Sequence, residues 1–209
     1  MRIQAPEAAV EAFKQALELN PQDMGLAAKI GRALVSTHDY QRAINYYKDA
    51  LKSSPRSVDL LHDLAKLLIK LRKFDEAIRI LGPHAEAPNA SSGLEDTTHS
   101  MQRIQSLLLL ADVHEESHNA VAMKDTLMEA LELQRKVNDG TRDYGPDMVA
   151  EQKKVMTTIC FRLGKFAEGE DKNDDSATGF YREALKARPE DEPSMQALCN
   201  LYIRRGDRE

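Results

Sequence analysis

The feature that most constrains this chain is a pattern of small and apolar residues that returns about every 34 positions. Between Met24 and Pro55, the residues Ala27, Ile30, Gly31 and Leu34 fall at i, i+3, i+4 and i+7, which is one face of a helix. Ala43, Tyr47 and Ala50 then fall at i, i+4 and i+7 of a second segment, which Pro55 closes. One period earlier stand Ala9, Phe13, Ala16 and Pro21; one period later stand Leu61, Leu64, Ala65, Leu68, Ala77 and Leu81. By size alone, 209 residues could make one or two globular domains. A recurring two-helix motif favours instead a quasi-linear stack in which each pair buries its apolar face against the next.

Motif and period resemble the tetratricopeptide repeat (TPR), whose first helix carries a large residue, a leucine and a small residue and whose second carries Ala, an aromatic, Ala and a final Pro. The predicted fold is therefore all-α, a TPR helix-turn-helix solenoid of about ten helices wound as a right-handed superhelix. Small residues mark the slots where backbones approach closely: Gly31, Ala43, Ala65, Ala77, Ala111, Ala130, Gly164 and Ala184 are the expected repeat-packing positions.

Read in order, residues 1–81 form a regular segment, a second-helix half followed by two repeats, with Asp23, Asp39 and Ser57 as candidate helix caps. Gly82-Pro83 is expected to break the next helix, which opens a loop over 82–98. A third repeat covers 99–138, with Leu107, Leu110, Ala111 and His114 on its first helix and Met123, Leu127 and Ala130 on its second. A second loop, 139–146, holds Gly140, Gly145 and Pro146. The fourth repeat and a closing half repeat span 147–209; Val155, Ile159, Cys160, Leu163, Gly164 and Ala167 stripe its long first helix, and Ala177, Tyr181, Ala184 and Pro189 mark its second. These two helices are spaced one residue wider than in the motif, and the extra residue is assigned to the acidic turn Glu170 to Asp175. On the last helix Met195, Leu198, Cys199 and Tyr202 read as the apolar face. The whole is expected to be one solenoid, and the two half motifs at its ends to belong to a longer array.

The net charge of −5, with both signs dispersed, weighs against non-specific nucleic-acid binding. The longest purely apolar run, Leu107 to Ala111, is too short to cross a membrane. Cys160 and Cys199 both read as small buried hydrophobes rather than a disulfide pair. Asn89-Ala90-Ser91 matches a glycosylation acceptor and reads as loop.

Two stretches imitate catalytic or metal chemistry. His114-Glu115-Glu116-Ser117-His118 matches H-E-x-x-H, but His114 occupies the packing slot of Leu34 and Leu68, and His118 falls at the helix end. Asp171, Asn173 and Asp175 resemble the start of a calcium loop, whose required Gly and Glu are replaced by Ser176 and Arg182. No catalytic residue, metal site or cofactor is expected. The carboxylate clamp of some TPR co-chaperones is disfavoured as well, because its positions hold Ala28, Arg32 and Asp63.

The segments AAKIGRALVSTHDYQRAINYYKDAL, DLAKLLIKLRKFDEAIRIL, LLLLADVH, ALELQRKV, AEQKKVMTTIC and GFYREAL, in that order, resemble the large TPR subunits of intraflagellar transport complex A. That resemblance implies a non-enzymatic scaffold. It would contact other complex A subunits (TPR and propeller proteins) and ciliary cargo, without nucleic acid or membrane insertion, and it would support retrograde ciliary transport and ciliary protein trafficking. Its place would be the cilium or flagellum and basal body, on the cytoplasmic side. The alternative is a non-ciliary TPR adaptor that binds a peptide or helix in its concave groove. In either case Arg32, Val35, His62, Lys66, Asp112 and Glu115 are the candidate groove residues.

Overall fold

The computed structural model describes residues 4–19, 23–55, 57–86, 94–140 and 145–206. Pro21, the acceptor Asn89-Ala90-Ser91 and positions 141–144 of the second predicted loop lie outside them. The described residues form ten helices. These are α1 (Gln4–Leu19), α2 (Met24–Ser36), α3 (Tyr40–Ser53), α4 (Val58–Lys70), α5 (Phe74–Ala85), α6 (Leu94–Glu116), α7 (Ala120–Gly140), α8 (Pro146–Gly169), α9 (Asp174–Ala187) and α10 (Glu192–Arg205). The chain divides into two compact units, residues 1–84 and 85–209, where the sequence suggests a single run. The division falls at the end of α5, where the second-helix motif lapses.

Both predicted loops are shorter than the sequence reading has them. Pro83 lies inside α5, which continues to Ala85 rather than stopping at Gly82. A proline inside a helix removes one backbone bond and crowds the carbonyl four residues earlier; α5 nevertheless runs on through His84 and Ala85. The third repeat's first helix begins at Leu94, so the predicted loop 82–98 is helical at both ends. The second predicted loop, 139–146, is likewise trimmed, because α7 runs to Gly140 and α8 starts at Pro146, a proline suited to a first helical position.

Local chemistry explains the helix starts. Asp23, Asp39, Asn173 and Asp191 accept backbone hydrogen bonds from Leu26, Arg42, Ser176 and Ser194. Ser57 stands at the N-cap position of α4, but its side chain makes no capping bond. The turns that lead from a first helix to its second share one geometry. His38, Arg72, His118 and Lys172 all adopt the left-handed backbone, with φ between 49° and 63°. The next amide reaches back past the left-handed residue, as Asp39 N–H does to Leu34 O and Lys73 N–H to Leu68 O, closing the helix end. In the fourth repeat the bond is made by Asn173 to Ala167 O, which locates the additional residue in the 170–173 turn.

In the first unit α2 packs on α1 and α3, and α4 packs on both α2 and α3. Ile30, Leu34, Ile44, Tyr47, Leu60, Leu64 and Leu68 are at most 4% exposed. Burying a side chain of this size contributes about 1.5–3 kcal/mol. In the second unit α6 to α10 pack each on the next, around Ile104, Leu107, Leu127, Leu131, Ile159 and Leu163. A smaller cluster of Ala167, Ala177, Tyr181, Ala197 and Leu201 joins α8, α9 and α10.

The eight small residues at expected close-packing slots are all buried. Gly31 and Gly164 show why size matters there. A Cβ on Gly31 would lie 2.2 Å from the ring of Tyr47, and one on Gly164 would lie 2.4 Å from the ring of Tyr181. Both rings are fully enclosed, at no more than 1% exposure. In the two middle repeats alanine takes the glycine slot, at Ala65 and Ala111, and leucine takes the tyrosine slot, at Leu81 and Leu127. A larger residue on one helix thus accompanies a smaller one on the other.

The last helix corrects two expectations. Its buried residues are Ser194, Ala197 and Leu201, while Met195 and Cys199 are exposed and Tyr202 is half-buried. The face that meets α9 is therefore rotated from the stripe read from the sequence. Cys160, in contrast, is fully buried, and burial pushes its thiol up to about 12.

Candidate interaction surfaces

Of the groove candidates, Arg32, Val35 and Lys66 border one shallow hollow of about 200 Å³ in the first unit, together with Tyr47, Asp63, Leu67 and Lys70. Arg32 Nε donates to Asp63 Oδ2 at 2.6 Å, joining α2 to α4. That hydrogen bond, and then the carboxylate's charge, hold the guanidinium above its ordinary range. Lys66 is exposed.

His62 is not a groove residue. It is 7% exposed, and its pKa is lowered to about 4, chiefly by burial and then by the charge of Lys66. The physical reason is that α4 is enclosed on more than one face, with Leu60, Leu61, Leu64, Ala65, Leu67 and Leu68 buried as well, and His84 of α5 is near enough to act on the His62 charge. Ala28, one period earlier, is buried at 3%.

In the second unit Asp112 and Glu115 both face Arg162 of α8. Its guanidinium donates to Asp112 Oδ1 and to Glu115 Oε2, each at 2.7 Å. Burial pushes the Asp112 carboxyl up, and Arg162 opposes the shift. Sequence reasoning misses Arg162. Its signal lies in register: Arg32 and Asp112 each directly follow the small residue of their first helix, and each pairs with the residue two before the small residue of the next first helix, Asp63 or Arg162. The charge order is reversed between the two cases. These pairs engage Arg32, Asp112 and Glu115 in joining helices, so the charge they offer a ligand is largely compensated within the chain.

The two imitation motifs resolve on geometry. α6 ends at Glu116, and His118 lies beyond it with φ 58°. The two histidines therefore do not share one helix face, as two ligands at i and i+4 must. Burial lowers the His114 pKa, and its Nδ1 is enclosed without a hydrogen-bond partner among the described residues. The acidic turn is neutralised from outside: Lys124 pairs with Asp171, Arg204 with Glu168 and Asp174, and Arg205 with Asp175. Among the described residues no three His, Cys, Asp or Glu stand close enough to hold a metal ion, and no helix is long and apolar enough to cross a membrane.

Comparison with known proteins agrees with this geometry. The family model for the fourth ARM domain of tetratricopeptide repeat protein 21 matches residues 26–185, and a generic tetratricopeptide repeat matches residues 2–23. Tetratricopeptide repeat protein 21A of Mus musculus is 36% identical over 97% of the chain, and protein 21B of Homo sapiens is 36% identical over 99%. The chain spans about 15% of the length of either relative. Among solved structures, Pseudomonas aeruginosa PilF superposes with a TM-score of 0.66 at 15% identity, over 98% of this chain and 86% of that one. A thermophilic TPR protein of Thermus thermophilus gives 0.56 at 16% identity, over 95% and 91%. These structural likenesses establish the fold, an all-α TPR solenoid; the repeat family and the tetratricopeptide repeat protein 21 relatives support a scaffold for protein interactions. With a family match across most of its length, the chain belongs to the tetratricopeptide repeat protein 21 family.

Proposed function

We propose that the chain is a non-enzymatic scaffold segment of intraflagellar transport complex A. In this role it contacts other complex A subunits and ciliary cargo, and it supports retrograde transport and the trafficking of ciliary proteins. It works in the cilium or flagellum and at the basal body, on the cytoplasmic side. The observation that carries this reading is the family match, joined to the resemblance of the ordered segments from AAKIGRALVSTHDYQRAINYYKDAL to GFYREAL to the large TPR subunits of that complex. The structure supplies a physical means. Rigid helix pairs hold extended, mixed-charge surfaces in place, so the molecule acts by shape and contact.

The test is affinity purification of the endogenous full-length protein from ciliated cells, with its partners quantified by mass spectrometry. Co-recovery of the other complex A subunits in comparable amounts is expected. Recovery of chaperones alone would contradict the reading. A second arm disables the segment by Gly31→Trp, and transport particles should then accumulate at ciliary tips.

A further inference from the structure

A groove of about 800 Å³ in the second unit lies between the C-terminal ends of α7 and α9 and the N-terminal half of α8. It is distinct from the first-helix positions chosen as groove candidates. Its apolar floor includes Val149, Met156 and Ala187. Of its charged residues, Arg135 and Glu183 neutralise each other through two bonds of 3.0 and 2.8 Å. Arg182 donates to the hydroxyl of Tyr202, an uncharged partner, and so keeps its charge. Lys153 and Lys186 are exposed and form no ion pair among the described residues; the Glu190 carboxyl nearby is held down by a backbone hydrogen bond and by Arg188, with Lys153 adding least. Asp139 is the remaining acid on the rim. A cationic groove thus stands out on a chain whose net charge is −5.

The spacing of these groups is that of a helix. Val149, Lys153 and Met156 lie at i, i+4 and i+7 on α8, and Arg182 and Lys186 lie at i and i+4 on α9. Residues at i and i+4 of a helix have Cβ atoms about 5–6 Å apart, so a ligand helix with carboxylates at i and i+4 matches the backbone spacing of Arg182 and Lys186 on α9. An adjoining hollow of about 440 Å³ shares Val149, Lys153 and Ala187 and continues the surface towards Pro189. Together these surfaces provide length for a helical segment rather than a pocket for a small molecule.

We infer that this groove docks an acidic amphipathic helix of a partner protein, whose apolar stripe covers Val149, Met156 and Ala187 and whose carboxylates meet Lys153, Arg182 and Lys186. The inference rests on the reading of the chain as a contact scaffold and names the chemistry of one partner; it does not depend on the ciliary assignment.

The test uses the purified chain with methyl-labelled methionine and three synthetic peptides. One has a leucine stripe flanked by glutamates, one has lysines in place of the glutamates, and one keeps the glutamates without the stripe. The first should bind, shift the Met156 methyl resonance and weaken as salt is raised. The double variant Lys153→Gln/Lys186→Gln should weaken it at least about tenfold, equivalent to 1.4 kcal/mol, while leaving helix content and Tm unchanged. Failure of the glutamate peptide to bind, equal binding of the lysine peptide or of the stripeless peptide, an unmoved Met156 methyl, or unchanged affinity of the double variant would each overturn the inference. The same variant placed in the full-length protein separates this failure from that of the scaffold reading. If the groove peptide binds nothing while complex A subunits still co-purify, only the groove assignment falls.

Discussion

Gly31→Ala is ordinarily a stabilising kind of change, and here it should be the reverse. In an unhindered helix interior, replacing Gly by Ala gains about 1 kcal/mol of helix propensity. At Gly31 the new methyl would lie 2.2 Å from Cε1 and Cζ of Tyr47 and 2.6 Å from its hydroxyl oxygen. Ordinary contact begins near 3.4 Å, so ring and helix must part by more than an ångström. The ring is 1% exposed, so it cannot move that far without displacing the side chains packed on it. Overpacking of this kind costs about 1–3 kcal/mol, and a clash this close belongs at the upper end, so strain outweighs propensity and a net loss of about 1–2 kcal/mol follows. Gly179 is the internal control: it lies in α9, is exposed, and a methyl added there would meet nothing within 4 Å. Gly179→Ala should therefore stabilise, by about 1 kcal/mol. Tyr47→Leu alone leaves a cavity and should destabilise by about 2–4 kcal/mol. Combining it with Gly31→Ala recreates the Ala65/Leu81 and Ala111/Leu127 pairing used by the middle repeats. The double variant should be more stable than the sum of the singles predicts, by about 1 kcal/mol or more. Urea unfolding followed by circular dichroism reads all four variants. Strict additivity, or a Gly31→Ala protein as stable as Gly179→Ala, would refute the reasoning.

Other consequences can be measured on the same material. Ala43→Glu places a carboxylate at a site of 0% exposure and should cost several kcal/mol, about 3 or more, read as a fall in Tm. His62 is harder to protonate in the folded chain, with a pKa near 4 against 6.5 unfolded, so the unfolded state takes up the proton first. Stability should thus be flat above about pH 6.5 and decline towards pH 4, by about 3 kcal/mol at most; His62→Leu should flatten that slope, and an unchanged slope would contradict the assignment. Arg72 is left-handed, with φ 56° and an exposed side chain, so Arg72→Gly should raise stability by about 0.5–1 kcal/mol in urea titration. The Arg32–Asp63 pair is 60% and 14% exposed at its two side chains, so a double-mutant cycle should return no more than about 1 kcal/mol.

The sequence carries the repeat register because packing repeats. Wherever the same neighbours recur, the same slots must hold small or apolar residues, and Ala43, Ala77, Ala130 and Ala184 sit at 0% exposure for that reason. It carries less well the features set by relations between repeats. His62 reads as surface because a histidine often is, yet α4 is enclosed on more than one face, and buried Ala28 one period earlier is the available clue. The partner of Asp112 stands 50 residues away, across the enlarged third repeat, so a search at the regular period misses Arg162. The shared left-handed turn is hidden because His38, Arg72, His118 and Lys172 hold its slot without a single glycine. Pro83 misleads in the other direction: it forgoes a backbone bond and crowds the preceding turn, yet α5 runs past it to Ala85. The groove between α7, α8 and α9 has no sequence signature, because its cations come from separate helices and only packing brings them to one surface.

The pairing of a bare glycine on one helix with a tyrosine ring on the next is the most direct point at which to test the account. Nuclear Overhauser contacts in the isotopically labelled chain measure it without mutation. Strong cross-peaks from the Gly31 α-protons to the Tyr47 ring, and from the Gly164 α-protons to the Tyr181 ring, are predicted. Their absence, with Gly31 exchanging freely with solvent, would contradict the repeat register on which the fold, the surfaces and the proposed scaffold role all depend.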